Sequence, residues 1–68
     1  MKTYYAETVQ NADVVSTIPI DGKNPLQALC DFASSRYGSG NYQIIYTKSN
    51  IYGFYINVPD YDVSIEIH

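Results

Sequence analysis

What this chain has little of narrows it first. Among its 68 residues are one cysteine, one histidine, four lysine or arginine residues and no tryptophan. A lone cysteine, Cys30, forms no internal disulfide, and no Cys/His cluster offers a structural metal site, so the fold must rest on burial of apolar area. Positive charge is just as scarce: Lys2, Lys23, Arg36 and Lys48 stand against seven acids, giving a formal net charge of -3 and a pI near 4.6. Binding to nucleic acid draws heavily on phosphate neutralisation, which this balance opposes, so no direct nucleic-acid contact is expected and a basic protein surface is the easier partner. No run approaches the roughly 18 apolar residues of a membrane span, and no charged-then-apolar leader opens the chain. The expectation is a soluble, cytoplasmic chain with no membrane association.

Catalytic constellations are missing as well. Cys30 falls on an apolar helix stripe, where a free cysteine acts as a small hydrophobe, and His68 has nothing to orient it as a base. Gly38-Ser39-Gly40 is not followed by lysine and ends a helix where a phosphate loop would open one. Asp60-x-Asp62 lacks the longer ordered series and the sixth-position glycine of a calcium loop. These absences predict a non-enzymatic protein with no catalytic residues, no cofactor and no bound metal.

What is abundant is tyrosine: eight, at positions 4, 5, 37, 42, 46, 52, 55 and 61. A single core of this size supplies only about 3–5 kcal/mol and cannot bury them all. Outward-facing tyrosine rings offer large contact area at the cost of two torsions, with a hydroxyl that tolerates water, so they point to a binding surface.

The periodicity predicts one domain, 1–68, of α+β class. Lys2 to Gln10 places Tyr4, Ala6 and Thr8 on one side of a strand and Tyr5, Glu7 and Val9 on the other. Asn11-Ala12-Asp13 is turn chemistry, and Val14 to Ile20 reads as the second arm of a hairpin. Pro19 lacks an amide donor, which places this second strand at a sheet edge. Asp21-Gly22-Lys23-Asn24 reads as a loop, Asn24-Pro25 as an N-cap and first helical residue, and the helix runs to about Tyr37 with Leu26, Leu29, Cys30, Ala33 and Tyr37 as its apolar stripe. Strands follow at Tyr42 to Thr47, Ile51 to Val58 and Val63 to Ile67, with turns at Lys48-Ser49-Asn50 and at Pro59 to Asp62. The order is ββαβββ: an antiparallel sheet of four to five strands with one helix on one face. A helix of about twelve residues spans roughly 18 Å and cannot cover both faces. The side carrying Gly53, Tyr55 and Asn57 is the more polar and is expected to be open.

Tyr52-Gly53-Phe54 has the aromatic-glycine-aromatic form of an RNA-stacking strand, but the preceding basic residue and a second helix are absent and the net charge has the wrong sign. Ordinary strand residues, with Gly53 easing a bend, are the expectation.

The opening Met1-Lys2, the aromatic Tyr5, the run Val9-Gln10-Asn11 and a helix over Leu26 to Ser34 followed by further strands resemble one group of small phage-encoded anti-CRISPR proteins. The resemblance implies a stoichiometric inhibitor that blocks the nucleic-acid path or a hinge of a bacterial defence complex, acting in the host-cell cytoplasm. No binding residue is carried over from it, since this chain is acidic and its strands are rich in tyrosine. The candidate partner-binding residues come from composition: Tyr5, Tyr46 and Tyr55 as anchors, and Asp60, Asp62 and Glu66 as partners for lysine and arginine. A self-associating structural protein, using the open face or an edge strand to form a homodimer, and a weak RNA- or single-stranded-DNA-binding sheet are the alternatives.

Overall fold

The computed structural model describes residues 2–68. The alternation in the first residues becomes β1 (Lys2–Gln10), with Tyr4, Ala6 and Thr8 buried on one side and Tyr5 exposed on the other. Asn11 and Ala12 both take left-handed backbone, with φ of 52° and 65°, the pair of positive angles whose twist matches that of antiparallel strands. The chain returns as β2 (Asp13–Gly22), crosses in α1 (Pro25–Tyr37), and adds β3 (Gln43–Tyr46), β4 (Phe54–Val58), a 3-10 turn at Pro59–Tyr61, and β5 (Val63–Ile67). The class is α+β in the expected ββαβββ order. All pairings are antiparallel, and the five strands lie in the order β2-β1-β5-β4-β3.

β2 lies at an edge, where Pro19 placed it. Tyr5 exchanges both backbone hydrogen bonds with His68, at 2.7 and 3.0 Å, so its polar groups turn toward β5 and its partner Pro19 sits in a pair without hydrogen bonds. The donor missing at Pro19 is therefore one that would have faced outward. The register also slips: Thr8 faces Ser16 while Val9 faces Val14, leaving Val15 as an extra residue. The strict alternation expected from Val14 to Ile20 fails at this bulge, which sets Val14 opposite Val9 on the open face and Val15 beside the helix-side groove described below.

α1 starts where predicted. Asn24 Oδ1 accepts from the Gln27 amide at 2.8 Å, and Gln27 Oε1 accepts from the Lys23 amide at 3.1 Å, two otherwise orphaned donors satisfied by side chains. It ends at Gly38, φ 96°, whose amide donates to the Ser34 carbonyl. The buried helix residues are Ala28, Leu29 and Ala33; Leu26, expected in the stripe, is exposed. The helix settles onto the end of β2 through its small residues. A Cβ on Gly22 would lie 2.7 Å from the Ala28 Cβ and 2.9 Å from its backbone, so Gly22 and Ala28 permit the close approach, and β2 continues through residues expected to form a loop.

β3 and β4 are shorter than predicted. Asn50 organises the connection: its Oδ1 accepts from the amides of Tyr52 and Gly53 at 2.9 and 2.7 Å, and its Nδ2 donates to the Phe54 carbonyl at 2.7 Å. Ile51 to Gly53 are thereby held in the turn, with Gly53 at φ 86°. Tyr42 leaves the strand and places its hydroxyl 2.9 Å from Ser34 Oγ on α1. Beneath the helix, Leu29, Ile56, Val58, Ile65 and Ile67 are fully buried. Among the described residues, no helix is long and apolar enough to cross a membrane.

Candidate functional site on the open sheet face

The face away from α1 is built from the alternate residues of all five strands. Register fixes its centre. Glu7 on β1 pairs with Glu66 on β5 and with Thr17 on β2; continuing the β4–β5 register sets Tyr55 beside Glu66, and Ile45 on β3 pairs with Tyr55. One row across the sheet therefore reads Ile45, Tyr55, Glu66, Glu7, Thr17. On one side of it lie Tyr5, Pro19 and His68; on the other, Gln43, Asn57, Ser64, Val9 and Val14.

Two carboxylates directly opposite each other on neighbouring strands repel. His68 lies against one of them: its Nε2 is 3.2 Å from Glu7 Oε2, and its ring tilts against Tyr5 with centroids 6.2 Å apart. Glu66 lacks such a partner among the described residues. Its carboxyl is raised above its ordinary value, first because the sheet half-buries it and second because the Glu7 charge lies beside it. A positive group from outside would find two carboxylates within reach, flanked by the Tyr5 and Tyr55 rings.

The structure brings together three of the six residues singled out in the sequence: Tyr5, Tyr55 and Glu66. Tyr46 lies elsewhere. It pairs with Phe54 on the helix side of β3 and is 75% exposed at the sheet edge. Asp60 and Asp62 occupy the turn between β4 and β5, with Asp62 at φ 54°; they are exposed at the end of the sheet near the β1–β2 hairpin, where Gln10 reaches the Tyr61 carbonyl at 3.5 Å. Glu7 and His68 complete the cluster and were not singled out. Glu7 sits on the same side of β1 as Tyr5, and His68 on the same side of β5 as Glu66. Only the pairing of β1 with β5 reveals that the two sides meet.

The Tyr52-Gly53-Phe54 run is not an exposed stacking strand. Phe54 is buried, Tyr52 and Gly53 belong to the turn, and the Tyr52 ring packs edge-on against Tyr4 at 5.7 Å. On the helix side, a groove of about 500 Å³ opens beyond the last turn of α1. Arg36, Val15, Thr8 and Ser16 line it, with Tyr37 and Tyr61 stacked edge to face at 4.8 Å. No carboxylate, histidine or cysteine is among its lining residues.

No family model, curated protein or solved structure matches the chain.

Proposed function

We propose that this protein is a non-enzymatic binding module whose open sheet face docks a protein partner that presents lysine or arginine. The supporting observation is the Glu7–Glu66 pair directly opposed on the open sheet face, with His68 against Glu7 and, among the described residues, no such partner against Glu66. An approaching cation removes the like-charge cost, while Tyr5 and Tyr55 supply contact area on either side. Sheet residues are held in register before binding, so little side-chain or backbone order is lost on association. In keeping with the resemblance to small phage inhibitors, the partner is a basic nucleic-acid-binding surface of a bacterial defence complex or nuclease, and the action is occlusion of that surface.

The test is affinity capture from nuclease-treated bacterial lysates with the wild type beside Tyr55→Ala and Glu66→Lys. A stoichiometric nuclease or CRISPR subunit held by the wild type and released by both variants is the expected result. Once that partner is in hand, Tyr55→Ala should weaken binding by about 2 kcal/mol, the range of a central aromatic anchor. Undiminished capture by both variants rules out the open face as the docking surface.

A further inference from the structure

The sheet has two free edges, and they are built differently. β2 loses an outward donor at Pro19, is bent by the bulge at Val15, and carries Asp13 and Asp21 near its ends, all devices that discourage another strand from pairing there. β3 has none of them. Gln43–Tyr46 contains no charge, proline or register shift. The Thr47 amide donates to the Gly53 carbonyl at 2.9 Å, so by alternation the backbone groups of Ile44 and Tyr46 point outward, unpaired. Tyr46 and, in the loop that leaves the strand, Ile51 are the most exposed large hydrophobic side chains among the described residues, at 75% and 87%. Charge is distributed to match: from Gly38 to Pro59 there is no carboxylate, and Lys48 is the only charged side chain.

We infer that β3 pairs antiparallel with β3 of a second copy, about a two-fold axis perpendicular to the sheet. A chain of net charge -3 repels its copy wherever the acids lie, and this acid-free edge is where two copies meet without opposed carboxylates. An uncharged strand is its own complement in antiparallel register, and each copy satisfies the outward groups of Ile44 and Tyr46 on the other. The contact is small: a standard interface takes about 800 Å² per partner, a large part of the 4305 Å² surface, and a four-residue edge with two flanking side chains falls short of it. The dimer is therefore weak and forms with rising concentration. Its symmetry leaves both helices on one side and joins the two open faces on the other. Five strand spacings then separate the two Glu66 residues, about 24 Å.

This inference does not rest on the open-face reading, and the two separate experimentally. Sedimentation equilibrium of the full chain, from micromolar to about 1 mM, is run with the wild type, Tyr46→Lys and Glu66→Lys, with circular dichroism confirming that each is folded. The expected result is a wild-type mass moving toward the dimer, a dissociation constant raised at least about tenfold in Tyr46→Lys, and little change in Glu66→Lys. Amide hydrogen exchange of the wild type reads the same edge without a variant: Ile44 and Tyr46 should become protected as concentration rises. A wild type that stays monomeric throughout overturns the inference. So does a dimer that ignores Tyr46→Lys and leaves both amides exchanging at a concentration-independent rate.

Discussion

The two faces of this sheet come from the same strands and differ in nearly everything else. On the helix side, Ile56, Val58, Ile65 and Ile67 are buried in one core cluster with Leu29, Ala28 and Ala33 of α1. One residue away along the same backbones, Tyr55, Ser64 and Glu66 are half-open, and Glu66 faces Glu7. Folding energy lies on the first face. The second carries a like-charge pair that opposes folding, an arrangement understandable on a surface that meets a positive partner.

The contrast predicts unequal responses from neighbouring residues. Ile65→Ala, on the covered face, should destabilise by about 2–5 kcal/mol through lost burial and a residual cavity, a large fraction of what so small a domain holds, and urea titration should show a nearly complete loss of the folded state. Gly22→Ala attacks the same face from its rim. The added methyl meets Ala28 Cβ and backbone, so α1 must lift and stability should fall by about 1–3 kcal/mol, read as a lowered thermal midpoint. If Gly22→Ala melts like the wild type, the helix is not held down as closely as the geometry implies.

Glu66→Gln sharpens the comparison from the open side, with the smallest effect and the opposite sign. The raised carboxyl means that the folded chain holds this proton more tightly than the unfolded chain does, so ionisation of Glu66 opposes folding at neutral pH. Removing the charge should stabilise the protein there by about 0.5 kcal/mol or less, since water screens a half-exposed pair. That advantage disappears as pH falls below the ordinary carboxyl value of 4.5, where Glu66 is protonated in both states. Thermal melts of both proteins across that range check the prediction; a Glu66→Gln variant less stable than the wild type at neutral pH contradicts it.

How much of this was legible in the sequence follows from range. Local chemistry read well: Asn24-Pro25 began the helix, Gly38 ended it, Pro19 marked an edge, and Val63, Ile65 and Ile67 pointed inward together. Side chains that override a local pattern did not. Asn50 captured two amides and kept Ile51 to Gly53 out of β4, and a single extra residue at Val15 broke the alternation of β2. The candidate site was only half visible, because Glu7 and Glu66 meet through pairing between strands distant in sequence, and no period within either strand encodes its neighbour. Tyrosine count likewise predicted outward rings but not where. Tyr5, Tyr46 and Tyr61 are all exposed, yet they lie on the open face, on the β3 edge and beside the helix-side groove.

The strand order has a further consequence, for the order of folding. β1 and β5, first and last of the strands, are neighbours at the middle of the sheet, while α1 carries the chain from one outer strand to the other. The β1–β2 hairpin and the β3–β4 hairpin can each form from local contacts, but each exposes a raw inner edge until Val63–Ile67 joins them. That closure is the contact of longest sequence separation, the slow kind. Until that closure is made the chain stands as two half-sheets, each with an inner edge open to wrong pairing.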